Sequence, residues 1–577
     1  MRFLRKQWSS LISLSDNQIG LALLALLAGI ASALVITLFR LAIEVPLTAL
    51  LPVASAEDYE ALSQWGRVAL LFGGSLVLII LFHTLRPERR GVGVSHVLQR
   101  MEMHQGYLPL PNIVVQWVAA AIAILSGHSV GREGPAIHLG AGTASQLGQS
   151  VGLAHHRLRI LAGAGVASAI SASFNTPMAG VIFAMEVVLL EYNIRGFVPI
   201  ILASVAGAIV SEAVFGSHTA FAVPGFDMHS LAEIPYILLL GVIGGFVASA
   251  FIFLVRFFQR INHWPIWLKW GLLTSATAAV SIWLPQVMGI GYDTVNQALA
   301  GQVVMGSLAL LLIAKLILAA WAAGVGFPAG LIGPTLFIGA ALGGLMGQLS
   351  DWWLPQYPVS VGFYAMLGMG AMMGAVLRAP LAALVALLEL TANPNIIMPG
   401  MLAIVIASLV VSEFFHLPSV FNVQLGGGHN YQAPDPVQQM LRNTWVAEAM
   451  SQSFVSAPRT VTPETAGFML QRDPDWLLLE DEKVILPPAA VAEALAELKE
   501  KQPQDEHADI DLIAIPGDRQ EVGTISLKAN LHDALDLMQQ HHIQWLAVYR
   551  DDDLSRCVGL VSQTQIEHFY HYMPRNQ

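Results

Sequence analysis

One acidic residue, Glu133, stands in Gly131-Arg-Glu-Gly-Pro135 at the head of an apolar stretch. A carboxylate within a membrane segment is costly, and it marks a functional position. Pro135 near the first turn of a helix gives up no hydrogen bond. The glycines around it let backbone N–H groups point at one spot. A helix N-terminus carries about half a positive charge and binds an anion without a basic side chain. Ionised, Glu133 can take the anion's place and block its path; protonated, it can swing out. Such a gate answers to pH and to the permeant anion. The plainer reading makes Glu133 a helix cap or the partner of Arg132.

The same pattern recurs. Gly131 to Ala141, continuing to Gly148-Gln149, overlays Gly330-Leu-Ile-Gly-Pro-Thr-Leu-Phe-Ile-Gly339-Ala340, continuing to Gly347-Gln348, at a constant offset of 199. Pro177-Met-Ala179 with Glu186 overlays Pro380-Leu-Ala382 with Glu389 at an offset of 203. Two ordered matches at nearly one spacing mean two related halves, and paired broken helices in corresponding positions point to a binding site. Leu331, Ile332 and Gly134 then lie at helix starts, and Gly91-Val92-Gly93 supplies a third. Glu186 and Glu389, equivalent in the two halves, read first as caps or interhelical bonds. Parity of the intervening spans decides whether the halves are inverted, and the sequence leaves that open.

The elements that must carry these residues are membrane helices. Of 577 residues 55% are hydrophobic and 12% charged, about half the ordinary charged fraction. A disordered chain, a basic nucleic-acid binder and an ordinary soluble enzyme are excluded. Residues 1–443 are nearly neutral, with 19 Lys+Arg against 18 Asp+Glu, whereas residues 444–577 hold 10 against 22. The run from Ile19 to Ile43 exceeds a signal-peptide core and reads as a retained first span. Further apolar runs fall near 68–85, 112–127, 160–171, 177–190, 197–215, 236–255, 271–288, 304–323, 330–348, 362–376, 380–391 and 397–412. Several are short and broken by Gly and Pro, as around a transport site at the membrane midplane. Arg2, Arg5 and Lys6, then Arg86-Pro-Glu-Arg-Arg90 and His155–Arg159, place the N-terminus and these loops in the cytoplasm. Cys557 stands alone, so one chain can form no disulfide or Cys-based metal site.

Gly131-Arg-Glu-Gly-Pro135, Gly330-Leu-Ile-Gly-Pro334, Gly91-Val-Gly-Val-Ser95 and Phe174-Asn-Thr-Pro-Met-Ala-Gly180, in this order, resemble the anion-binding motifs of the CLC chloride channels and chloride/proton exchangers. The resemblance implies an all-α polytopic membrane domain of two inverted repeats with many tilted and broken helices, over 19–425 (about 19–225 and 235–425). A cytoplasmic segment 1–18 precedes it and a linker 426–443 follows. It also implies a homodimer in the lipid bilayer of a bacterial inner membrane, with one chloride path per subunit. Glu133 would be the gate between Arg132 and Gly134, and the amides of Leu331 and Ile332 would face the central anion.

Two departures bear on chemistry. Where the family commonly places a serine the chain has Val92, with Ser95 replacing a proline, and where it places a tyrosine the chain has Phe421. A hydrogen bond to a charged group is worth ~1–3 kcal/mol, so a weaker central site and loose selectivity among halides and nitrate are expected. The exchangers' internal proton-handing glutamate aligns with Val187, beside Glu186. An apolar side chain relays no proton, and the expectation is therefore a gated channel. Coupled exchange, with Glu186 on the proton path, is the alternative.

The acidic tail, 444–577, is expected to be an α/β soluble domain resembling a CBS pair. Strand 522–527, helix 530–540, strand 544–549, a turn at Asp551–Asp553, strand 557–561 and a helix after Ser562 form one copy. A degenerate copy starts near Val446–Met450 and runs through Leu477–Leu479 and Ala489–Leu498. Such pairs can bind adenine nucleotides, though the tail's negative charge disfavours polyphosphate; an inert dimerising tail is the plainer reading. A membrane-anchored nucleotide or ionic-strength sensor is the competing function class. No nucleophile–base pair or phosphate-cradling lysine motif argues for an enzyme.

Overall fold

A computed structural model describes residues 18–50, 58–191, 194–216, 221, 230–353, 360–426, 436–501, 509–550 and 553–571. The chain divides into two units, one reaching to Gln432 and one beginning at Ala433, the second also taking in residues 154–156.

Among its described residues the first unit is built of helices joined by short turns and loops. Seven of its helices are long and apolar enough to cross a bilayer, among them Gln64–Thr84, Met305–Gly324 and Ile332–Ser350. Shorter apolar helices accompany them at Leu110–Leu125, Pro177–Leu189, Val361–Leu377 and Pro380–Thr391. Local sequence sets many of the ends. Ser63 accepts from Gly66 N, Ser360 from Phe363 N and Ser419 from Asn422 N. Pro177 and Pro380 open their helices where a missing N–H is harmless. The first helix, Gln18–Leu50, outruns the expected 19–43 and continues through Pro46.

The duplication read from sequence is present in the backbone. Gly127 and Gly326 share positive φ at offset 199; Asn175 and Arg378 share it at offset 203, just before the paired prolines. At the centre the two halves clasp each other: Gly131 N donates to Gly330 O at 2.7 Å and Gly330 N to Gly131 O at 2.8 Å, an antiparallel bridge. Glycine is required there by close approach. A Cβ on Gly330 would stand 2.7 Å from Gly134 N and 2.8 Å from Gly131 O.

Helices inside this unit pack through small residues, since lipid offers no hydrophobic drive to bring them together. Gly140 lies against the carbonyl of Gly165, and Gly339, its equivalent, against the carbonyl of Gly368. Leucine, isoleucine and phenylalanine on outer faces, such as Leu23, Leu38, Phe72, Ile80 and Leu310, remain exposed. That inversion is what a bilayer-facing surface requires.

The second unit is built on a six-stranded sheet of order β1-β3-β4-β6-β7-β8: β1 Phe454–Ser456, β3 Trp476–Leu479, β4 Val484–Leu486, β6 Gln520–Ser526, β7 Trp545–Arg550 and β8 Asp553–Ser562. A short pair, β2 Thr460–Val461 and β5 Ile510–Asp511, stands apart. β6 and β7 run parallel, joined by the helix Leu531–His541, and β8 returns antiparallel to β7. The β-α-β-β-α order expected of the last copy is present, ending in helix Gln563–His571. Asp553 belongs to β8 and not to the expected turn, whose residues 551–552 lie outside the described set.

The start of the tail differs from expectation. The segment 426–443, expected as a linker, contains the helix Pro436–Asn443. Val446, expected to open the first copy, is buried with Leu441, Leu531, Ala534 and Met538 in the core of the last copy. Val446 N donates to Ala529 O at 3.1 Å and Leu531 N to Thr444 O at 3.0 Å. The apolar pattern of Val446-Ala-Glu-Ala-Met450 fits either copy, and these backbone bonds select the distant one.

Replacing Gly330 by Ala forces a methyl into the central bridge. The expected cost is about 1–3 kcal/mol, read as a lowered thermal unfolding midpoint in detergent. Gly306→Ala, where a Cβ meets nothing within 4 Å, is the neutral control.

Candidate functional site: a carboxylate and three helix starts

Gly131 and Gly330 fix where two helices begin: Glu133–Val151 and Ile332–Trp353. A third, Gly93–Met103, begins nearby. Their first residues line one cavity of about 100 Å³, to which Val92, Gly93, Val94 and Ser95, Gly134, and Gly330, Leu331 and Ile332 all contribute. The space has room for a small anion together with waters. The first-turn amides of a helix have no intrahelical acceptor, and here three first turns share one space. Phe421, 1% exposed, closes part of the wall. Gln259, Asn262 and Gln424 line it as well, although each is engaged elsewhere. Gln259 Nε2 donates to Val423 O, Gln424 Nε2 to Ala323 O, and Lys269 Nζ donates to Asn262 Oδ1.

Glu133 is 1% exposed and lies against the second half of the chain. Its Oε2 accepts from Gly333 N at 3.1 Å, the amide directly after cavity-lining Ile332. Its Oε1 accepts from the Tyr292 hydroxyl and lies 3.8 Å from Arg132 Nε. A Cβ on Gly131 would stand 2.7 Å from Oε2, and one on Gly333 3.0 Å. Both glycines make room for the carboxylate. A negative group thus rests on a helix N-terminus, the place an anion would take.

The expected site residues divide into two sets. Val92, Gly93, Gly134, Leu331, Ile332 and Phe421 come together at the cavity, joined by Ser95. Gly91 lies just outside, its carbonyl accepting from Asn112 Nδ2 at 3.0 Å. Arg132 pairs with Glu133 and does not line the cavity: its Nη1 meets Glu44 Oε1 at 3.3 Å and its guanidinium lies 5.4 Å from the Tyr292 ring centre. Tyr292 was not legible beforehand. The only local signal is its place after Gly289-Ile-Gly291, where positive φ at both glycines turns the chain inward.

Glu186 and Glu389 make reciprocal contacts. Glu186 accepts from Leu381 N at 3.2 Å and Ala382 N at 2.7 Å; Glu389 accepts from Met178 N at 2.9 Å and Ala179 N at 2.7 Å. Each carboxylate caps the helix that Pro380 or Pro177 opens in the opposite half. Such exchange of equivalent contacts is the mark of a two-fold relation. Val187, next to Glu186, is buried.

Residues 74–412, more than half of the chain, match the voltage gated chloride channel family. The chain belongs to this family, the CLC proteins. Residues 517–571 match the CBS domain, in agreement with the last copy of the tail. A chloride channel protein described as ClcB-like, from Ralstonia nicotianae, is 32% identical over 371 residues, covering 63% of this chain and 86% of the relative. The H(+)/Cl(-) exchange transporter ClcA of Vibrio cholerae is 26% identical over 388 residues, covering 65% and 83%. Among solved structures, a slow cyanobacterial Cl−/H+ antiporter superposes with a TM-score of 0.62 at 21% identity, over 70% of this chain and 97% of that one. This last likeness concerns the fold.

Removing either reciprocal cap strips acceptors from two helix N–H groups. Glu186→Ala and Glu389→Ala are each expected to cost ~1–2 kcal/mol of stability. Glu186→Gln, which keeps an acceptor, is expected to recover part of it. Thermal unfolding in detergent reads all three.

Proposed function

We propose that this CLC protein exchanges chloride for protons across a bacterial inner membrane, with Glu133 as the gate whose ionised carboxylate competes with chloride. One observation carries the reading: a buried carboxylate accepts the Gly333 amide at 3.1 Å, holding a helix N-terminus otherwise suited to an anion. Protonation removes the carboxylate's charge and its claim on that amide. Chloride can then enter, and its departure lets the carboxylate return. Carboxylate and anion therefore exclude each other from one place, and a proton on Glu133 opens that place to chloride.

The sequence taken alone favoured a channel, because Val187 occupies the position where the family resemblance puts an internal proton-handing glutamate. The relatives named as proton/chloride exchangers favour the exchange reading instead. Val187 remains the observation on the channel's side. The central anion is held, in this proposal, by amides of Leu331 and Ile332 and by three helix dipoles, with Ser95 the nearest hydroxyl on the cavity wall. Val92 and Phe421 offer no hydrogen bond there, so anion binding is weak and selectivity among halides and nitrate loose. Two such subunits form the working dimer, with both termini in the cytoplasm.

Proteoliposomes under a chloride gradient decide between the readings. Uphill proton movement driven by chloride is expected; chloride flux with no proton movement supports the channel. Glu133→Gln is expected to abolish coupling and flatten the pH dependence of chloride flux. An unchanged pH profile would remove Glu133 from the gate.

A further inference from the structure

Val187, buried beside Glu186, has no group that binds a proton. Beside the anion cavity lies a pair of imidazoles that the gate does not use. His96 is half-buried on the Gly93–Met103 helix; His138 is 0% exposed on the Glu133–Val151 helix, five residues after the gate. Their rings stand nearly perpendicular, with centres 5.0 Å apart and His96 Nδ1 3.1 Å from His138 Nε2. His138 Nδ1 lies 3.1 Å from Gln116 Oε1, and the same oxygen accepts from Gly93 N at 2.5 Å. Gln116 is itself 0% exposed, and its Nε2 has no hydrogen-bond partner among the described residues.

The backbone sets the tautomers along this chain. Gly93 N can only donate, so the Gln116 atom facing it is the amide oxygen. That oxygen can only accept, so His138 carries its hydrogen on Nδ1 and presents a lone pair at Nε2. In the neutral pair His96 Nδ1–H donates to that lone pair. The remaining basic nitrogen is His96 Nε2, on the half-buried ring.

We propose that His96 and His138 form the inner proton-binding station of this transporter, linked through Gln116 to the amide of Gly93, a residue on the cavity wall. The proposal rests on the exchange reading above. A proton arriving from water bonds to His96 Nε2. The His96 Nδ1–H bond then breaks as a His138 Nε2–H bond forms. His96 is left neutral in its other tautomer, and His138 becomes a cation bearing both N–H groups. One hydrogen lies between the facing nitrogens, and two adjacent cations repel, so the station holds one proton.

The cation then stands two hydrogen bonds from an amide of the anion cavity. Its field there is little screened, and a proton on His138 and an anion in the cavity support each other. The other charged groups nearby are few. Arg100 and Glu102 lie on the helix of His96, and His104 caps its C-terminal end. Of the elements packed against the two helices, Leu110–Leu125 and Val420–Gln424 carry no ionisable side chain. Glu186 is committed to its two amides, Arg40 to Glu44, and Arg159, on the helix packed through Gly165, to Glu191. Asp351 stands near the far end of the Ile332–Trp353 helix. Glu133, five residues from His138 on the same helix, is the acid at the gate and the proton's natural destination.

The test measures chloride and proton fluxes together in proteoliposomes of the full chain. His138→Gln keeps a donor for Gln116 but cannot take a proton; His96→Gln alters the half-buried ring and spares the core. In both variants the ratio of chloride to protons moved is expected to rise by about tenfold or more, the scale on which a lost proton-transfer group acts. A ratio that stays at its original value in either variant overturns the proposal, whether the fluxes persist or fall together as a purely structural role would have it. Chloride flux without any proton movement in the unsubstituted protein overturns the exchange reading as well, and that result precedes any substitution.

Discussion

Two backbone hydrogen bonds between Gly131 and Gly330 are the constraint on which the site depends. They hold the starts of two helices from opposite halves of the chain within bonding distance. Everything functional follows from that proximity. Glu133 reaches Gly333 only because the halves meet there, and the cavity has three helix starts in its wall only because two of them are tied together. Any side chain at either glycine would push the starts apart.

The close approach is sustained by the small-residue seams around it. Gly140 on Gly165 and Gly339 on Gly368 bring backbone against backbone on both sides of the bridge. In lipid such contacts replace the hydrophobic effect, which cannot distinguish a helix neighbour from an acyl chain. The scarcity of charged residues has the same origin. The anion site is assembled from amides and dipoles, and those exist at every helix start without adding a charge to the composition.

Much of this was legible in the sequence because glycine and proline act locally. A Gly-x-x-Gly-Pro motif states where a helix starts whatever surrounds it, and its recurrence at offset 199 stated that there are two. Glu186 and Glu389 were recognisable as caps for the same reason. Tyr292, Gln116 and the two histidines were not, since a solitary polar residue in an apolar helix carries no information about its partner 20 or 160 positions away. In the tail, the periodicity of the strands and helices identified the last copy. It could not say to which core Val446 belongs, because an apolar face fits any apolar groove until the backbone bonds to Ala529 and Thr444 choose one.

The reciprocal caps of Glu186 and Glu389 carry a consequence for the fold. Each half leaves a helix start that only the other half's carboxylate completes, and each supplies the carboxylate the other lacks. A solitary half would expose both deficits at once, whereas two identical copies of it would satisfy them by simple symmetry. The contacts that hold the two halves of one polypeptide together have the form of a self-complementary dimer interface, so neither half is complete as a fold without its counterpart.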